Sequence, residues 1–304
     1  MTKRFRGLCC LGLCGLLAWL LADAGEVRAW AAEALALCAR SVIPSLFPCM
    51  VVSGLLVSLG LGELASPWLS GLMALFRLPG SAGSALLLGF AGGYPIGAKT
   101  ASELFGKGLL TREEAERLLT FANNSNPVFF LSVLGSGVFG SVRTGVWLWL
   151  LHILSALLTG LFFRGRDKTA RRGVPGRVAC RAVSLPAALV EAVRSGAGGM
   201  LSVCAFVVFF YVLARPLAGL GGRIGTVLVG VTELFSFTAV LPPDRFGFIA
   251  ASGCAGWGGI SVLCQTLAVL EGSGLNARRC LCGKAVQGVI AAALASAVSG
   301  WIFP

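Results

Sequence analysis

Two short stretches set polar side chains, glycine and proline inside otherwise apolar sequence. In "GGYPIGAKT" (92–100), Gly92, Gly93 and Tyr94 precede Pro95, and Lys99 and Thr100 follow about one turn later. In "NNSNP" (123–127), Asn123, Asn124, Ser125 and Asn126 lie between apolar flanks. These residue types suit recognition rather than bond making. Amides and hydroxyls both donate and accept. Glycine permits tight turns, and a backbone that leaves its helix inside a membrane must be buried in protein or line a wet cavity. Helix N-termini at Pro95 and Pro127 carry partial positive charge. With Lys99, they favour an anionic or electron-rich ligand. A looser counterpart, "GWGGISVLCQ" (256–265), contributes Gly258, Gly259, Ser261 and Gln265, so the site pairs one cation with one amide.

Local roles compete with these. Lys99 can snorkel or pair with Glu103 one turn later. Asn126 reads as an N-cap with Pro127 at the first helical position. That leaves Asn123, Asn124 and Ser125 as the better ligand candidates. Glu103 and Glu233 are candidates for ion coupling, by sodium or protons, because an acid among apolar residues is expensive unless it has a task. Glu233 can equally rest at the membrane interface.

Enzyme chemistry finds little support. His152, the single histidine, lies in an apolar run, and no nucleophile–base arrangement or phosphate loop accompanies it. Most of the 11 cysteines sit in apolar runs, where they read as small hydrophobes, and the Cys280/Cys282 spacing is poor for zinc. Neither a metal nor an organic cofactor is expected.

The elements that must position these residues are membrane helices. The chain of 304 residues is 56% hydrophobic and 12% charged, whereas soluble domains carry about a quarter charged residues. The sequence reads as an all-α polytopic membrane protein, with plain spans near Phe5–Ala22, Leu35–Leu61, Thr144–Phe163, Gly198–Leu220 and Cys280–Phe303. Pro44 and Pro48 predict a kink in the second. The first span reads as retained rather than cleaved. Half of the net charge of +12 comes from a basic linker, 164–181, which carries +6. It fits a cytoplasmic loop rather than a nucleic-acid surface, since no aromatic platform accompanies it. The expected partners are the bilayer, a small anionic solute and a second copy of the chain.

Ser81–Leu110 is interrupted at "GGYP", and two helices of about 12–15 residues cannot each cross ~30 Å. A re-entrant hairpin is expected there. Next, Thr111 and Glu114 form a capping box for a helix running to about Ala122, which "NNSNP" breaks. Shifted by 166, "GGYPIGAKTASELFGKGLLTR" (92–112) is identical to 258–278 at eight of 21 positions, including Gly92/Gly258, Gly93/Gly259, Thr100/Thr266 and Arg112/Arg278. Internal repeats and broken helices point to transporter architecture. The organisation expected is an N-terminal segment (1–30), a first repeat (31–163), the linker, and a second repeat (182–304). The repeats are inverted, each with a re-entrant hairpin and one broken or kinked helix. A span at Gly225–Leu241 would remove the inversion.

The motifs "IPSLFP" (43–48), "GGYPIGAKTASEL" (92–104), "LTREEAERLLTFANNSNPVFF" (110–130) and "GWGGISVLCQ" resemble the YlbJ family of sporulation integral membrane proteins, also called SpoVV. These are nucleoside-recognition, or Gate-domain, membrane proteins, related in design to concentrative nucleoside transporters. The similarity is read from about Leu35 to the C-terminus. "VTELFSF" departs from the glycine-containing form expected around Glu233. The resemblance implies movement of dipicolinate, a planar dianion, across the outer forespore membrane by alternating access. Nucleoside transport and a non-transporting scaffold in spore assembly are the other readings.

Overall fold

The computed structural model describes residues 3–165 and 184–303. Most of the basic linker therefore lies outside the described residues. In chain order the helices are α1 (Lys3–Ala22), α2 (Ala24–Leu37), α3 (Ile43–Ser58), α4 (Leu61–Leu75), α5 (Gly83–Gly92), α6 (Ile96–Gly106) and α7 (Arg112–Leu118). There follow α8 (Val142–Phe162), α9 (Leu185–Ala218), α10 (Gly222–Thr232), α11 (Leu234–Val240), α12 (Arg245–Trp257), α13 (Gly259–Leu270) and α14 (Arg278–Ile302). Wider π-helical stretches occupy Cys38–Val42 and Phe129–Val138, and a 3₁₀ turn occupies Gly80–Ala82.

Among the described residues, six helical segments are long and apolar enough to cross a membrane. They are Lys3–Ala22, Ala24–Ser58, Val142–Phe162, Leu185–Ala218, Arg245–Leu270 and Arg278–Ile302. α4 with Gly80–Gly92, bent by 97°, makes a seventh if the bent pair is counted as one span. The span expected from Gly198 begins earlier, at Leu185. Where a kink is expected at Pro44 and Pro48, Ala24–Ser58 runs as one helical segment that widens into a π-helix at Cys38–Val42. Pro44 has no N–H for the carbonyl of Arg40 four residues back, so the regular ladder fails there. Gly225–Leu241 is no single span: the chain breaks at Glu233, and α10 and α11 pack on each other.

The first expected hairpin is present as α5 and α6, which pack together across a short turn. The second differs. Across Gly258, α12 and α13 continue as one 26-residue apolar segment, Arg245–Leu270, rather than turning back. Gly258 accommodates the break with φ +91°, a conformation nearly free of penalty only for glycine.

The two halves of the chain interlock. α13 packs on α6 and α9, while α14 packs on α7, α8 and α12. One apolar cluster joins Phe76, Leu104, Leu118 and Phe121 of the first half to Leu270 and Cys280 of the second. A second joins Tyr94, Phe130 and Leu148 to Phe237, Phe248 and Ala255. Outward-facing leucines of α1, together with exposed Trp68 and Trp301, present an apolar surface suited to lipid and its interface.

Candidate functional site

The site begins where the chain from Ala122 to Asn126 threads between the arms of the α5–α6 hairpin. A Cβ on Gly89 would lie 1.9 Å from the Ala122 carbonyl oxygen, and one on Gly97 2.0 Å from it. Only glycine at both positions lets the hairpin close on this strand of backbone. The hairpin tip turns at Gly93, with φ +83°, and the Tyr94–Pro95 peptide is cis. Pro95 stands one residue ahead of α6, as its N-cap, rather than in the first turn.

Helix α7 opens with the expected capping box: Thr111 Oγ1 accepts from Glu114 N–H, and Glu114 Oε2 accepts from Thr111 N–H. The helix ends at Leu118, earlier than Ala122. Irregular backbone follows until Pro127, where Asn126 Oδ1 caps the new helix by accepting from Phe129 N–H at 2.9 Å. The "NNSN" side chains are all nearly inaccessible. Asn123 Nδ2 donates to Thr266 Oγ1 at 2.8 Å, and its Oδ1 accepts from Ala98 N–H at 3.4 Å. Asn124 Nδ2 donates to the Phe121 carbonyl at 2.7 Å. The backbone N–H of Ser125 donates to His152 Nε2 at 3.2 Å. Asn123 and Asn124 are thus committed to the protein's own groups.

The partners on the other side come from α14. Gln287 Nε2 donates to Asn124 Oδ1 at 3.0 Å. Lys284, 1% exposed, donates to the Asn123 carbonyl, to Tyr94 Oη and to Gln287 Oε1. Tyr94 in turn donates to the Ala255 carbonyl at 3.0 Å. Hairpin tip, broken helix, α12 and α14 therefore meet in one polar network. Sequence reasoning missed Lys284 and Gln287. The signal was there: a lysine inside an apolar span is expensive and invites a functional or structural account.

Beside this network lies a cavity of about 530 Å³. Tyr94 contributes from the tip, Ser125 and Asn126 from the break, Gln265 from α13, and Glu233 from the α10–α11 junction. Arg40, Ser41 and Ser45 line it from the region of the first π-helix; Phe129, Ser132 and Val133 line it from the second. Phe129 and Phe235 meet edge to face on its wall, with ring centroids 5.6 Å apart. Both π-helices thus turn side chains into the same space, a placement such distortions often have at functional sites.

Other sequence candidates lie elsewhere or have other tasks. Lys99 is outside the cavity lining: its Nζ donates to Ser195 Oγ at 2.6 Å and stands 4.0 Å from Glu103. Thr100 is buried away from the lining. Gly92 is buried behind the tip. Gly258 approaches Tyr94, and Gly259 packs at Thr232 and Glu233. Ser261 accepts from Gln265 Nε2 at 3.3 Å. The Glu233 carboxylate caps α11, accepting from Phe235 and Ser236 N–H. The first-turn N–H groups of Ala98 and Phe129 are engaged by Asn123 and Asn126. Arg40 has no hydrogen-bond or ion-pair partner among the described residues, so the cation on the cavity wall is Arg40 rather than Lys99.

Broken apolar helices surround a polar-lined cavity in a helical membrane protein, and residues 39–142 match the Gate family, described as nucleoside recognition. Arg40, Tyr94, Ser125 and Asn126 fall within the match. The chain is, more particularly, similar to the sporulation integral membrane protein YlbJ of Bacillus subtilis (strain 168), 38% identical over 127 residues. That stretch covers 40% of this chain and 30% of the relative, less than the expected extent from Leu35 to the C-terminus. No solved structure matches the chain.

Proposed function

We propose that this protein carries a small planar anionic solute across a membrane, with the cavity beside the Asn123–Pro127 break as its binding site. The observation that carries the reading is the meeting of Tyr94, Ser125 with Asn126, and Glu233, from three separate interruptions of helix, on one cavity that Gln265 of α13 also lines. Pockets of roughly 300–1,000 Å³ with a few placed polar groups are typical small-molecule sites. Arg40 supplies charge for a carboxylate, and Phe129 and Phe235 supply apolar surface. Dipicolinate is the preferred solute, in the outer forespore membrane of a sporulating cell, which accords with the sporulation protein among the relatives. Movement is by alternating access. The α5–α6 hairpin and the broken α12–α13 segment, taken as the counterparts of two inverted repeats, expose the cavity to each side in turn.

A nucleoside is the second reading, favoured by the description of the Gate family and by the neutral amides and hydroxyls around Arg40. Purified protein in liposomes tests both. Labelled dipicolinate is expected to equilibrate across the bilayer and to be displaced weakly by uridine. Uridine uptake without dipicolinate uptake selects the nucleoside. Uptake of neither by well-reconstituted protein removes the carrier reading.

A further inference from the structure

Lys284 is a buried lysine with no carboxylate beside it. It lies one turn and a half into α14, is 1% exposed, and has no carboxylate partner among the described residues. Its ammonium has three N–H donors, and three neutral oxygens take them. These are Gln287 Oε1 at 2.7 Å, Tyr94 Oη at 3.0 Å and the Asn123 backbone carbonyl at 3.1 Å. The face of the Tyr94 ring adds a cation–π contact, with Nζ 5.0 Å from its centroid. Placing such a charge among apolar helices is expensive, so the oxygens must compensate it.

The ligand set resembles that of a bound alkali cation more than that of an ion pair. Hard cations take oxygen donors, and in discontinuous membrane helices the carbonyls of unwound backbone coordinate sodium. Here the carbonyl of unwound Asn123, an amide oxygen and a phenol oxygen converge on one positive charge. The charge is tethered to α14.

We propose that the Lys284 ammonium is a built-in cation that stands where an exchangeable sodium ion would otherwise hold the broken helix, so that no dissolved cation is needed at this position. It fixes the Asn123 carbonyl and Tyr94, and through Gln287 it fixes Asn124. Lys284 is therefore a positioning residue for the cavity wall rather than a solute contact. Its consequence for solute movement, that no sodium crosses through this position, rests on the carrier reading above.

Thermal unfolding of purified protein in detergent tests this without any solute, so the outcome is independent of whether transport is found. Midpoints are compared in sodium, lithium, potassium, ammonium and choline chlorides at equal concentration. The wild-type midpoint is expected to be the same in all five. Lys284→Ala is expected to unfold at lower temperature in choline, and to recover part of the loss in sodium, lithium or ammonium. Lys284→Met, whose side chain fills the vacated space, is expected to lose stability without recovering in any salt. Should Lys284→Ala yield no folded protein, Lys284→Gln, which keeps two donors but no charge, takes its place; it is expected to unfold well below the wild type. A sodium-specific rise in the wild type overturns the proposal. So does a Lys284→Ala protein as stable as wild type in choline, one that no small cation rescues, or a Lys284→Gln protein as stable as the wild type.

Discussion

Gln287 on α14 donates from Nε2 to Oδ1 of Asn124 at 3.0 Å, across 163 residues of sequence. Both side chains are fully buried. A buried amide that loses its partner costs ~1–3 kcal/mol, so this contact holds the break in the first half of the chain against the last helix. Gln287→Leu also removes an acceptor from Lys284 and should destabilise more than Asn124→Leu. The double variant should lose less than the sum of the two. Thermal midpoints of the three variants give the coupling, and simple additivity would show that the two amides act separately.

The clamp around Ala122 is steric. Gly89→Ala and Gly97→Ala each place a methyl about 2 Å from the Ala122 carbonyl oxygen. Overpacking typically costs about 1–3 kcal/mol, and contact with backbone rather than a flexible side chain puts these variants at the upper end. Each should lower the unfolding midpoint sharply and displace the 122–126 segment. Gly106→Ala, in the same hairpin and facing open space, is the control and should be neutral or mildly stabilising. Near-native midpoints for the first two would mean that the hairpin arms stand further apart.

Arg40 takes the place on the cavity wall that sequence spacing suggested for Lys99. Hydrogen bonds to charged groups are worth ~1.5–3 kcal/mol, so Arg40→Ala should weaken binding of an anionic solute by about 10- to 100-fold. Lys99 is part-exposed and 4.0 Å from Glu103. An exposed i,i+4 pair contributes only ~0.3–0.5 kcal/mol, so Lys99→Ala should leave affinity within a few-fold of wild type. Equilibrium binding of dipicolinate to both variants checks this, and the reverse order of effects would return the anion site to the hairpin.

Glu233 acts on the backbone of α11. Removing an N-cap costs about 0.5–2 kcal/mol, so Glu233→Ala should lower the midpoint, while Glu233→Asn, a good cap of shorter reach, should restore part of it. If Glu233 couples ions instead, Glu233→Gln should abolish a proton or sodium dependence of uptake with little change in stability.

Local features were legible because local residues decide them. Thr111 and Glu114 cap α7, and Asn126 with Pro127 restarts the chain as a helix, each within four residues. The main spans and the α5–α6 turn follow from apolar length and from Gly93. What escaped depends on partners far apart in sequence. Nothing within a turn of Lys284 announces that Tyr94 and Asn123 will supply its acceptors. The α12–α13 break was read as a second hairpin because its glycines match Gly92 and Gly93. Glycine, however, permits a turn without enforcing one, and here no proline follows to start a returning helix. Lys99 follows the tip by one turn, as expected, yet faces Ser195 on α9 rather than the cavity.

The cavity itself is tested most directly by filling it. Ser125 lines the space, and its backbone, not its side chain, makes the hydrogen bond to His152. Labelled dipicolinate and uridine are titrated against purified wild type and Ser125→Trp, with monodispersity and unfolding midpoint measured for both. Saturable binding of one solute to the wild type, lost in a Ser125→Trp protein that remains folded, is the predicted result. Absence of saturable binding to well-folded wild type, or affinity unchanged by the tryptophan, contradicts a solute site at this break.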